Sequence, residues 1–198
     1  MADEALECGL QSRAVVFDED RGLVRAAWHD TDAAARLYDK YYSAVFGYVY
    51  HCMFDHAVSE DLTSNVFLAA FRHLRRFQWR RVPFRAWLYR IATNEVRMHY
   101  RKARQIGALP LEIDRRSQEA PAASDGPAAA EECQLLHAAM LELKLKYRTA
   151  LILRYFEDKT IAEISEITRR RPGTVKSQLH RGLAQLQDIL IRHGVLPE

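Results

Sequence analysis

Residues 84–104, Phe-Arg-Ala-Trp-Leu-Tyr-Arg-Ile-Ala-Thr-Asn-Glu-Val-Arg-Met-His-Tyr-Arg-Lys-Ala-Arg, carry the pattern on which the reading of this chain turns. Leu88, Ile91, Ala92 and Val96 fall on one side of a helix. Trp87, Arg90, Asn94, Arg97 and Arg101, spaced by three, four, three and four, fall on another. The helix has a defined start, because Pro83 disfavours helix at Val82 and then fits the first turn itself. A polar stripe of mixed sign is ordinarily a solvated face. This one has a single sign with an aromatic at its head, which marks a surface for nucleic acid.

The bias continues toward the N-terminus. From Arg72 to Arg104 ten arginines and one lysine face a single acid, Glu95, with Phe77, Trp79, Phe84, Trp87, Tyr89 and Tyr100 threaded among them. Guanidinium groups neutralise phosphates, and aromatic faces stack on exposed bases for roughly 1–3 kcal/mol per base. Duplex DNA cannot offer the second gain, since its bases already stack on each other, so unpaired nucleic acid is the expected ligand.

Upstream, Leu37, Tyr38, Tyr41, Tyr42, Val45, Phe46 and Val49 predict a long helix after the capping cluster Asp30-Thr31-Asp32, ending near Phe54 or Asp55. A second helix is expected from about Ser59 to Arg76, and its centre, Val66 to Phe71, is apolar all the way round. Such a helix is wrapped by neighbours or docks part of its face on another protein. Residues 1–30 read as an N-terminal extension with no assigned role.

Downstream, residues 105–130 hold Pro110, Pro121 and Pro127 and no sustained apolar period, the composition of a flexible linker. At about 3.3 Å per residue it would span several tens of ångströms. Residues 131–198 return to helical spacing, with helices expected from near Glu131 to Leu143, Tyr147 to Phe156, Thr160 to Ile167 and Pro172 to Leu190. Thr160-Ile161-Ala162-Glu163 is a capping box, and Thr160 to Leu186 reads as a helix-turn-helix, a device for the major groove of intact duplex. The fold expected is all-α, with two small helical domains, 31–104 and 131–198, joined by the linker.

Composition narrows the classes further. An apolar share of 48% supports packed cores and argues against a wholly disordered chain. The net charge of +3 hides an asymmetry, because residues 112–132 hold six acids and two arginines after the basic block. Cys8, Cys52 and Cys133 are widely spaced, which suggests reduced thiols in a cytoplasmic protein and no metal site. Asp3, Glu4 and Glu7 stand where a signal peptide would be basic, and no apolar run of about 18 residues follows, so no membrane insertion is expected. The acids are scattered, and no Cys/His cluster or glycine-rich phosphate loop is present, so neither an enzyme nor a cofactor is expected. Ser177 and His180 share a helix face, better suited to phosphate or base contact than to a nucleophile pair.

At this point the residues resemble a known family, the two-domain, extracytoplasmic-function class of bacterial sigma-70 factors. Glu60-Asp61-Leu62-Thr63 followed by Val66-Phe67 resembles the segment with which the family grips the β′ clamp helices of RNA polymerase. Phe84 to Asn94 is similar to its helix for the minus 10 element. Leu153 to Asp158, Gly173-Thr174-Val175-Lys176-Ser177 and His180-Arg181 resemble its minus 35 reader. The resemblance implies core-polymerase contacts at Asp61, Leu62, Ser64, Asn65, Val66 and Phe67, with the β flap as a second contact. It implies minus 10 contacts at Trp79, Arg80, Arg81, Arg85, Trp87, Arg90, Asn94, Arg97 and Arg101, the loop Gln78 to Val82 receiving flipped bases. Minus 35 contacts would come from Arg154, Arg169, Arg170, Arg171, Thr174, Lys176, Ser177, Gln178, His180 and Arg181. The partners implied are core RNA polymerase, promoter DNA and, as in many relatives, an anti-sigma factor.

Three departures carry weight. Ser64-Asn65 stands where the family usually has Gln-Glu, removing an acid from the core-binding surface. Gln178 stands where Arg is frequent, and Gln pairs with adenine in the major groove. In the turn Thr168-Arg169-Arg170-Arg171, arginines replace a glycine, an apolar residue and a capping residue. Arg169 would suffer at a positive φ, Arg170 must stay out of the core, and Arg171 cannot cap the helix that Pro172 opens, a loss of about 1 kcal/mol. Nearby phosphate would turn the same charges to advantage. The rival reading is a stand-alone helix-turn-helix regulator on a palindrome; it leaves Asp61 to Phe71 and the Trp-rich basic helix without a task.

Overall fold

The first two long helices each begin where an aspartate accepts an orphan backbone N–H. The computed structural model describes residues 20–77, 82–105 and 127–195, which are mostly helix joined by short turns. Helix α1 (Thr31–Met53) opens at Asp30, whose carboxylate accepts from the Asp32 amide at 2.9 Å. Helix α2 (His56–His73) opens at Asp55, which accepts from the Val58 amide at 2.9 Å. That cap sets the start three residues before the expected Ser59. A 3-10 turn, Leu74–Arg76, extends α2, and helix α3 spans Phe84–Gln105.

The second half contains α4 (Pro127–Glu142), α5 (Leu145–Leu151), a π turn (Ile152–Phe156), α6 (Ile161–Thr168) and α7 (Pro172–Arg192). Helix α4 begins at Pro127, earlier than Glu131, since proline is tolerated in a first turn where its missing N–H costs nothing. The helix expected from Tyr147 to Phe156 widens over its second half. The Glu157 amide bonds to the Ile152 carbonyl at 3.1 Å, a five-residue step that leaves Tyr155 and Phe156 exposed.

Helices α1, α2 and α3 pack mutually, and residues 20–26 form a helical turn fixed to α1. Asp20, 4% exposed, is held there by the Tyr41 hydroxyl at 2.5 Å and by Lys40 at 2.9 Å. In this core the Thr93 hydroxyl donates to the Tyr89 carbonyl at 2.7 Å, so the Tyr48 hydroxyl donates to Thr93 at 2.9 Å. Both buried hydroxyls are thereby satisfied. In the second unit α7 packs on α4, α5 and α6. Gly182 permits the close approach of α7 to α5, since a Cβ there would lie 3.3 Å from Leu151 and from Tyr147.

The two units also pack on each other: α3 lies against α6, α1 lies against the π turn, and the buried apolar side chains form one continuous cluster. A long linker led us to expect two separately placed domains. In this structure they share an interface.

Candidate nucleic-acid interface

Helix α3 divides as its spacing dictates. Phe84, Leu88, Tyr89, Ala92, Thr93 and Val96 are buried, while Arg85, Asn94 and Arg101 are exposed and Trp87, Arg90 and Arg97 are half-buried. Trp79, Arg80 and Arg81, the proposed base-flipping loop, lie outside the described residues. The aromatic content of the basic block serves packing more than stacking on bases. Phe77, Phe84 and Tyr89 are core residues, and Trp87 rests on Phe77 at 4.9 Å and on Phe84 at 5.5 Å between ring centroids. Sequence spacing alone could not separate these rings from a base-stacking platform, because both uses place aromatics beside arginines.

Part of the stripe is engaged by the second unit. Arg90 donates from Nη2 to the Glu166 carbonyl at 2.8 Å, while its buried Nε has no hydrogen-bond partner. Burial, and then the like charge of Arg169, press its pKa down. The Tyr89 hydroxyl donates to the Glu157 carboxylate; Lys159 and Arg85 lie over the Tyr89 ring, at 5.0 and 5.7 Å from its centroid. Burial and then the hydrogen bond to Glu157 push the Tyr89 phenol pKa up.

The helix-turn-helix is built from a strong cap and a strained turn. Thr160 and Glu163 form the reciprocal capping box at the start of α6. Arg169 then takes the left-handed conformation at φ 55°, its amide bonding to the Ser165 carbonyl. The Ser165 hydroxyl donates to the Arg170 carbonyl at 2.5 Å. Arg171 occupies the cap position of α7 with no side-chain cap bond, and Arg169, Arg170 and Arg171 are all exposed. Two of the conflicts foreseen for this turn are therefore present, at Arg169 and Arg171, while Arg170 stays out of the core; a left-handed non-glycine residue costs about 1–2 kcal/mol. Val175, Leu179 and Gly182 face inward from α7, whereas Thr174, Lys176, Ser177, His180 and Arg181 are exposed and Gln178 is half-buried. Arg154 is exposed and donates to the Lys159 carbonyl at 3.1 Å.

On α2 the residues divide sharply. Leu62, Val66 and Phe67 are buried at 7%, 0% and 3% exposure and pack in the helix's own core. Asp61, Ser64, Asn65 and Leu68 face outward, with Leu68 at 54% exposure. Asp61 and Asn65 border a cleft of about 230 Å³ between α2 and α3, shared with Glu95, Met98, His99 and Lys102.

Arg148 escaped the sequence reading. It is 3% exposed, reaches across the interface to the Cys52 carbonyl at 2.9 Å and the Tyr100 hydroxyl at 2.6 Å, and also donates to the carbonyls of Leu141 and Leu143. On α5 it reads as an ordinary surface arginine, and no local signal marks it. Among the described residues no cluster of three or more His, Cys, Asp or Glu could hold a metal ion, and no helix is long and apolar enough to cross a membrane.

Two family profiles match the chain, in order. The sigma-70 region 2 profile matches residues 37–106, and the sigma-70 region 4 profile matches residues 133–186. The ECF RNA polymerase sigma factor BldN of Streptomyces coelicolor is 30% identical over 84% of this chain and 63% of its own length. For SigW of Bacillus subtilis the figures are 29% identity, 80% and 89%. The chain thus spans just under two thirds of BldN. Among solved structures, CnrH in complex with the cytosolic domain of CnrY superposes with a TM-score of 0.65 at 22% identity, over 87% of this chain and 97% of the other. The sigma factor RpoE in complex with the anti-sigma factor NepR from Bartonella quintana gives 0.62 at 22% identity, over 79% and 95%. These two show a shared fold. With both region profiles in order along the chain, together matching more than half of it, the protein belongs to the sigma-70 family, in its extracytoplasmic-function class.

Proposed function

We propose that this chain is a cytoplasmic, non-catalytic sigma subunit that binds core RNA polymerase and directs initiation at a dedicated set of promoters. The unit at 31–104 would bind the core and the minus 10 non-template strand. The unit at 131–198 would bind the minus 35 duplex, with 105–130 as linker and 1–30 as extension. The observation that carries this reading is the pairing of two different basic helices in one chain. α3 presents a single-sign stripe through Arg85, Arg97 and Arg101, and α7 presents Thr174, Lys176, Ser177, His180 and Arg181 behind a triple-arginine turn. The first suits unpaired strand and the second suits the major groove.

The exposed side of α2, with Asp61, Ser64, Asn65 and Leu68, is the candidate surface for the β′ clamp helices, and the β flap would be met by the second unit. An anti-sigma partner is inferred from likeness to RpoE, whose structure is of a complex with NepR. The test is binding of labelled protein to bacterial core RNA polymerase, with the exposed Asp61→Arg as control, followed by binding to forked and closed promoter duplexes. Core binding lost in the variant, and a preference for the fork, are the expected results. A preference for closed duplex with no core binding would overturn the proposal in favour of a stand-alone regulator.

A further inference from the structure

The interface between the units contains a second arrangement that promoter recognition does not use. His51, near the end of α1, lays its ring on Phe156 of the π turn at 4.4 Å between centroids, and His137 of α4 stacks on Phe54 at 4.1 Å and 26°. The two contacts cross the same interface in opposite directions. The groups shown against them are neutral: Tyr50 and Phe156 lie by His51, and Phe54 and the Cys133 sulfur, 3.8 Å from His137 Nε2, lie by His137. The nearby acids are occupied: Glu142 holds Arg192 at 3.2 Å and His193 at 2.6 Å, and Glu157 accepts from Tyr89.

We propose that His51 and His137 form an acid-sensitive latch: with both imidazoles neutral the second unit stays closed over α3, and a proton taken from solvent by either ring releases it. Release frees Arg90 from the Glu166 carbonyl, so the same event that opens the interface uncovers one arginine of the α3 stripe. A protonated ring would sit in a desolvated layer close to the other imidazole, and the nearby carboxylates are already engaged.

The direction of the linkage follows from the shifts. Burial, and then the charge of His51, lower the His137 pKa to about 4, and burial lowers that of His51, opposed by the Gly47 carbonyl. In the open form both rings return to the ordinary value of about 6.5. Closure is therefore fully stable above about pH 6.5 and weakens as pH falls toward the closed-state values. From His137 alone, the closed-to-open ratio drops roughly tenfold by about pH 5.5.

The experiment is small-angle X-ray scattering and far-UV circular dichroism on the full chain at about pH 7.5 and about pH 5.5, with the His51→Gln, His137→Phe double variant alongside. The wild type should be compact at the higher pH and expand at the lower with unchanged helicity. The double variant, which cannot take up these protons, should stay compact at both. Should the double variant fail to fold, the single variants serve, each expected to lose part of the expansion. A wild type of constant size, equal expansion in the variants, or expansion accompanied by loss of helix would overturn the latch. The readout is shape alone, so its failure leaves the sigma proposal standing.

Discussion

Arg90 of α3 donates to the backbone carbonyl of Glu166 in α6 at 2.8 Å, tying the strand-reading stripe to the helix-turn-helix. Burial, and then the like charge of nearby Arg169, lower the pKa of the same guanidinium. This contact occupies one arginine of the stripe and sets two cations against each other, so phosphate, which can neutralise both, competes with it.

Arg90→Ala should therefore weaken binding to a promoter fork by about 1–3 kcal/mol, or roughly 5-fold to 150-fold. Binding to a closed duplex carrying only a minus 35 element should change little. Fluorescence anisotropy on the two DNAs makes the comparison; an equal loss on both would place Arg90 outside strand recognition.

Replacing Arg169-Arg170-Arg171 by Gly-Ile-Ser should raise the melting temperature and lower DNA affinity. Glycine relieves about 1–2 kcal/mol at φ 55°, and serine restores a cap worth about 1 kcal/mol. The loss of three exposed cations should flatten the salt dependence of binding. Unchanged DNA affinity would show that the turn is merely solvated.

Arg148→Ala should destabilise the protein by about 3–5 kcal/mol, since it removes the donor to the Leu141 and Leu143 carbonyls and to the Tyr100 hydroxyl and leaves the Cys52 carbonyl with Tyr100 alone. Urea denaturation measures the loss. Thiol reactivity offers a second check. The Cys52 thiol is fully buried, and burial pushes its pKa up to about 12, so it should be inert near neutral pH and become reactive in the variant as the interface loosens.

Thr160→Ala removes one half of the capping box and should cost about 1 kcal/mol, read as a lower urea midpoint with the slope unchanged. Glu163→Gln, which keeps a hydrogen-bonding group in place, should cost less.

Local rules carried the sequence reading a long way. The caps at Asp30 and Thr160, the start of α3 after Pro83, its buried and exposed faces and the strain in the arginine turn all depend on residues within a turn or two of each other, and a linear sequence displays such spacing directly. Even Asp55, overlooked as the cap of α2, was legible by the same rule.

Which aromatics are core, which side of α2 is free and where the two units meet were decided by tertiary structure. Phe77, Phe84 and Tyr89 stand among arginines in the chain yet are buried, because a neighbouring helix supplies what lies over each ring. Arg148 and the stacks of His51 on Phe156 and His137 on Phe54 join residues about 80 to 105 positions apart. Burial and charge proximity depend on distances in space, and no local periodicity encodes contacts between segments that far separated along the chain.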